Sequence, residues 1–189
     1  MRRIKMHIVY CIIGRSCSGK SAICKGAAEE LKLKVLQSYT TRSKRNGETE
    51  EESDHIFIKA EEVDALRQDM VAYTERCGYC SFTTRQQLME SDICIINPSG
   101  YYELKLKTKD MDIMLVPIYI TVPYRTAIKR AKKRGGFESW KENYDKENNE
   151  FGSFEKSNII EYRILNDNDL EEAVGKLVRI INKVRGENA

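Results

Sequence analysis

A chain of 189 residues and 21.9 kDa suits one α/β domain with small insertions, and 41% apolar residues are enough for a core. A net charge of +3 is too weak to argue for a nucleic-acid partner, and no apolar run is long enough to span a membrane. The first residues, MRRIKMHIVYCII, mimic a signal peptide, but no small-residue cleavage site follows, so a cytoplasmic protein is expected.

The apolar run Ile8 to Ile13 predicts a buried strand, and Gly19 to Lys32 predicts a helix with Ala22, Ala27 and Leu31 on its apolar side. Between them lies GRSCSGKS, a G-x-x-x-x-G-K-S pattern placed where a strand turns into a helix. Gly14 and Gly19 let the backbone bend around oxygen atoms, and the amides from Ser16 through Ser18 to the helix start point at one anion. Lys20 reaches the terminal phosphates, and the Ser21 hydroxyl joins a magnesium shell. ATP and Mg2+ are therefore the expected cofactors.

Lys34 to Ser38 is a short strand candidate. Residues 39 to 90 break the pattern and read as a mixed insertion, with strands at Ile56 to Ile58, Val71 to Thr74 and Tyr79 to Thr83, and short helices at Glu61 to Gln68 and Thr84 to Met89. Within it, TTRSKRNGE sets Arg42 and Arg45 three apart, so both could face one phosphate; plain surface charge is the alternative. Cys77 and Cys80 form a C-x-x-C pair, but two histidines and no second pair leave a zinc site without convincing ligands.

The main sheet resumes at Asp92 to Asn97, followed by a turn Asn-Pro-Ser-Gly at a strand's carboxyl end, where open α/β sheets meet ligands. A weak helix is expected at Tyr101 to Thr108, a strand at Met114 to Thr121 and a helix at Pro123 to Arg134, interrupted by Gly135-Gly136. Phe137 to Ser157 reads as helical, Ile159 to Leu165 as the last strand, and Asp169 to Lys183 as an amphipathic helix. The expected fold is α/β, a three-layer sandwich of the P-loop NTPase kind with a mostly parallel sheet. A motor is too large for this length, and a GTPase switch would want an N-K-x-D stretch that the sequence lacks.

The chain resembles the guanylate kinase family. The resemblance rests on GRSCSGKS at 14 to 21 and S-x-T-T-R-x-x-R-x-G-E at 38 to 48, then DHIF at 54 to 57 and a Gly-Tyr segment near 79. It continues through Asn-x-x-Gly at 97 to 100, R-x-x-x-x-R-x-x-x-R-G at 125 to 135, and ILNDNDLEEA at 164 to 173. It implies a core of 1–38 and 91–189, a helical lid near 134–150, and a GMP-binding insertion at 39–90. It implies transfer of the terminal phosphoryl group of ATP to GMP, with a partner list of small nucleotides and a monomer or homodimer as the assembly. Ser38, Arg42 and Arg45 match the family's holders of GMP. His55 stands where the family has a phosphate-touching tyrosine. Glu75 matches an acidic contact, with Tyr79, Ser81 and Thr83 competing for hydroxyl contacts. Asn97 stands where an aspartate more often reads guanine. Arg130 and Arg134 match one side of the lid's arginines; on the other side the sequence offers Lys141 and Lys146 but no arginine. The expected activity is GMP phosphorylation. A same-fold kinase for another nucleotide or small phosphate acceptor, or a binding module with little turnover, are the alternatives.

Overall fold

The computed structural model describes residues 6–44, 47–51, 53–76, 78–167 and 169–187. The expected positions Arg45 and Cys77 lie outside the described residues. Two four-stranded sheets organise the described residues. The first contains β1 (His7–Ile13), β6 (Ile93–Ile95), β7 (Ile113–Thr121) and β8 (Tyr162–Leu165), in the order β6-β1-β7-β8 and parallel throughout.

Both faces of that sheet are covered, which is why its strands are continuously apolar rather than alternating. Along β1, Tyr10 and Ile12 meet α1 (Lys20–Leu31) and α8 (Leu170–Glu187) through Ile23, Ala27, Leu177 and Ile181. Val9, Cys11 and Ile13 face the other way, toward α4 (Pro98–Lys107) and α7 (Asn148–Glu155), where Leu104, Phe151 and Phe154 are buried. The result is helix, sheet, helix, as the strand pattern implies.

The second sheet runs β3-β2-β5-β4, from β2 (Ser38–Thr40), β3 (His55–Phe57), β4 (Met70–Arg76) and β5 (Tyr79–Thr84). It is mixed: β2 and β3 are parallel, whereas β5 runs antiparallel to both β2 and β4. One side packs on the short α2 (Val63–Leu66), and α3 (Arg85–Met89) leads back to the first sheet. Thr84 caps α3 by accepting from the Gln87 amide.

Four element boundaries differ from the sequence expectation. Lys34 to Ser38 forms no strand of its own; Val35 makes one bridge to Ile93, and the chain then leaves for the second sheet. The turn at 97–100 is the first turn of α4: Asn97 is its N-cap and Pro98 its first residue, the combination that favours a helix start. The helical stretch after α5 (Tyr124–Arg134) is two helices, α6 (Phe137–Lys146) and α7, meeting at Glu147. The last strand begins only at Tyr162. No helix among the described residues is long and apolar enough to cross a membrane.

Candidate active site

The carboxyl end of β1, the second sheet and helices α5 and α6 enclose a cleft of about 1260 Å³. Pockets for single small ligands run roughly 300–1,000 Å³, so this one has room for two.

Its floor is the loop from Gly14 to Gly19. A side chain at Gly14 would meet the Ile120 carbonyl at 2.5 Å, and Gly19 takes φ 90° at the start of α1. Both positions therefore require glycine. Cys17 also sits in the left-handed region, at φ 62°. Its side chain packs beside Ala127, Ala131 and Trp140. Lys20 crosses the loop and donates from Nζ to the carbonyls of Gly14 (2.6 Å) and Arg15 (3.0 Å). Burial pulls its ammonium below the usual lysine range, while the carboxylates of Glu147 and Asp54 favour the charged form. The Ser21 hydroxyl donates to Asp54 Oδ2 at 2.9 Å. Gly14, Ser16, Gly19, Lys20 and Ser21 line the cleft; Ser18 does not, being buried below the loop.

Asn166, at the carboxyl end of β8, fixes that loop from behind. It is buried, donates from Nδ2 to the Ser18 carbonyl (2.7 Å), and accepts from Arg130 Nη2 at 3.3 Å. Arg130 also reaches the carbonyls of Cys17 and Ser18. Arg130 and Arg134 both line the cleft, as do Gly135, Gly136, Ser139, Trp140, Asn143 and Glu147 from the start of α6 to its end. Lys141 is exposed and outside the lining, because on α6 it follows Trp140 by one position and so turns to solvent.

Arg15 links the loop to α7. Its Nε lies 3.2 Å from Glu155 Oε1, its Nη1 donates to Asn148 Oδ1 (2.8 Å), and its guanidinium lies 5.0 Å from the Tyr144 ring centre and 5.1 Å from that of Phe151. Tyr119 donates to the same Glu155 oxygen through a short hydrogen bond. Both ends of α7 are thereby held by one loop residue. Arg15→Ala is expected to cost about 1–2 kcal/mol of stability, kept modest because Glu155 is 36% exposed. A lower denaturant midpoint at unchanged slope is the result to look for. The single tryptophan, Trp140, is packed by Phe137, Tyr124 and Tyr144, and its emission should respond to the same loosening.

On the far side, Ser38 Oγ and His55 Nδ1 are 2.8 Å apart, and His55 Nε2 lies 3.7 Å from Asp54 Oδ1. A histidine protonated at Nε2 suits both contacts. Ser38, His55, Tyr79 and Ser81 line the cleft. Arg42 does not. It makes a bidentate pair with Glu48, both bonds 2.9 Å, and lies over the Phe57 ring. Glu48 is the member of that pair that reaches the cleft.

Glu75 is also outside the lining. The pairing of β4 with β5 sets Thr74 opposite Ser81 and Ala72 opposite Thr83, and these four share the face turned to the cleft. Glu75 pairs with Cys80 on the opposite face, where Tyr73, Cys80 and Phe82 pack on Val63 and Leu66. Its carboxylate accepts from the Tyr73 hydroxyl there and borders a smaller cavity with Asp64 and Arg67. Asn97 does line the cleft, but its amide is engaged: Oδ1 accepts from the Gly100 amide at 3.1 Å, and Nδ2 donates to Ser99 Oγ at 3.0 Å.

Sequence reasoning missed Asp54 as the partner of Ser21, and it missed Arg15, Asn166 and Glu147. Asp54 sat in a quoted motif, DHIF, and Asn166 in NDND, so the residues were visible; their partners, far along the chain, were not.

The chain matches the guanylate kinase family model over residues 6–184. A guanylate kinase from Fusobacterium nucleatum is 34% identical over 84 residues, a match spanning 43% of this chain and 45% of that protein, less than half its length. In structure the chain is similar to a guanylate kinase from Anaplasma phagocytophilum, with a TM-score of 0.64, 18% identity, and 95% and 86% of the two chains covered. It is also similar to a sugar kinase from a Janibacter species, at TM-score 0.50 and 16% identity over 93% and 95% of the chains. At these identities the structural likenesses speak for the fold. The family match covers nearly the whole described chain, and with the phosphate loop and cleft in place it identifies this protein as a member of the guanylate kinase family.

Proposed function

We propose that the protein transfers the terminal phosphoryl group of ATP to a nucleoside monophosphate, with GMP the acceptor that its family implies. The observation that carries this reading is one cleft with two unlike walls. The loop of Gly14 to Ser21 forms one, and Ser38, His55, Tyr79 and Ser81 of the second sheet form the other. A hydrolase or a switch needs only the first wall.

In this reading ATP lies with its phosphates over the loop, and residues 39–90 hold the acceptor. An oxygen of the acceptor's phosphate forms a bond to the γ-phosphorus of ATP, the bond to the β–γ bridging oxygen breaks, and ADP leaves with that electron pair. Lys20 gives up its loop carbonyls for phosphate oxygens. Arg130 and Arg134 supply positive charge where the phosphoryl group passes. Ser21 and Asp54 offer the hard oxygen donors that magnesium takes, so the residues fit that ion. Bound magnesium would neutralise phosphate charge. The lid's second side supplies no arginine: Asn143 and the Trp140 ring stand there instead, so the transferred group is held chiefly from the α5 side.

The test is an ADP-release assay with a panel of monophosphates. ADP formed only when a monophosphate is present is the expected result. ADP formed equally without one, or stimulated by DNA or RNA, would replace this reading with an ATPase. Tight nucleotide binding with no turnover would favour a binding module.

A further inference from the structure

On the second-sheet wall of the cleft, the face built by β4 and β5 carries no charged side chain among the described residues. Resting on the reading of that wall as a monophosphate site, we infer that it does not select guanine, and that purine monophosphates are taken with little regard to their base edge.

Guanine presents two adjacent donors, N1–H and the exocyclic amine. A single carboxylate answers both, and adenine, which offers an acceptor at N1, cannot satisfy such a group. The cleft holds three carboxylates among the described residues, and none stands on the β4–β5 face. Glu48 is committed to Arg42 and Ser53. Asp54 accepts from Ser21 beside the phosphate loop. Glu147 sits at the junction of α6 and α7, close enough to favour the charge of Lys20.

The strand pairing turns Ala72, Thr74, Ser81 and Thr83 to the cleft, and Tyr73, Tyr79, Phe82, Ile96 and Asn97 complete the lining beside them. Helix α4 holds that arrangement against β4: Glu103 accepts from the Tyr73 amide and Lys107 donates to the Met70 carbonyl. The acid of β4, Glu75, is on the opposite face. Asn97 uses its oxygen to cap α4 and one amide hydrogen on Ser99, so what it keeps for the cleft is a single N–H donor, the wrong sign for guanine's N1–H and amine. What this part of the cleft offers a base is therefore hydroxyls, one amide N–H and apolar or aromatic surface, with no carboxylate. A hydroxyl can rotate to donate or to accept; here Thr74 donates to the Ser81 carbonyl at 3.3 Å and Ser81 to Thr40 at 2.8 Å, partners each can leave when a base offers a better one. Steep selectivity arises when a wrong ligand leaves a fixed buried group without a partner, and rotating hydroxyls avoid that penalty for either base.

Calorimetry on the full chain with GMP, IMP and AMP in turn tests this without requiring turnover. Dissociation constants within about ten-fold of one another are expected. Asn97→Asp supplies the second arm. Aspartate caps a helix as well as asparagine does, so α4 should be kept, and the second carboxylate oxygen takes the place of Nδ2 at the cleft. That variant should raise the preference for GMP over AMP by about ten-fold. GMP binding at least about 100-fold tighter than AMP in the parent would overturn the inference, as would an unchanged ratio in the aspartate variant. If the three nucleotides bind alike but none is phosphorylated, the inference stands and the kinase reading falls. If none binds while ATP does, both fall.

Discussion

Lys20→Ala is expected to lower turnover by at least about 100-fold while the fold survives. The ammonium is enclosed at the floor of the cleft, where its charge is opposed by burial and supported by Glu147 and Asp54. A positive group fixed in such a dry site costs no reorganisation when charge develops on the transferred phosphoryl oxygens, and removing one donor of this kind typically costs about 2.7–4 kcal/mol of barrier. That is about 100-fold or more in rate at roughly 1.4 kcal/mol per ten-fold. The same substitution leaves the carbonyls of Gly14 and Arg15 without their Nζ donor. Two lost hydrogen bonds of about 1 kcal/mol each are a smaller effect than the loss of barrier lowering, so the loss of stability should stay small beside the loss of rate. Lys20→Met keeps the stem and separates packing from charge. Turnover of either variant within a few-fold of the parent, with an unchanged denaturant midpoint, would remove Lys20 from the chemistry.

How much of this was legible in the sequence depended on distance along the chain. The phosphate loop is local: a strand, two glycines with their backbone requirements, a lysine and a helix start, all within fifteen residues or so. Its position and both flanking elements were readable because each residue's constraint is met by near neighbours. The parallel sheet was also readable, since β1, β6 and β7 are buried on both faces and show it as unbroken apolar runs. The wall formed by the second sheet was not. Glu75 looks like a cleft acid until the register of β4 against β5 is known, and a slip of one residue would exchange the two faces. Asn97 looks like a base reader until its capping of α4 is seen. Arg15 and Glu155 are 140 residues apart, so no local pattern announces their pairing. Lys141 failed for a simpler reason. A cation count says nothing about which side of a helix faces inward, and α6 gives that side to Trp140 and Asn143.

Arg42→Ala is expected to weaken acceptor binding by about 30-fold and to leave ATP affinity within about two-fold. The motif implies direct contact between this guanidinium and the acceptor's phosphate, yet Arg42 lies behind Glu48, with 11% and 14% of the two side chains exposed. Two effects then act in the same direction. The variant loses a fork that matches phosphate oxygens as well as it matches a carboxylate. It also leaves Glu48, a cleft residue, without its guanidinium, and the remaining negative charge repels a phosphate dianion. Each is worth about 1 kcal/mol for a partly solvated site, and together about 2 kcal/mol is roughly 30-fold. Glu48→Gln distinguishes the contributions. It keeps one hydrogen bond to Arg42 and removes the charge, so acceptor affinity should hold or rise if Arg42 meets the phosphate directly. It should fall if the intact pair is needed to shape the loop between β2 and β3. Calorimetry with ATP and with the acceptor separately reads all of these. Equal losses for both ligands in Arg42→Ala would place the effect in folding rather than in the acceptor wall.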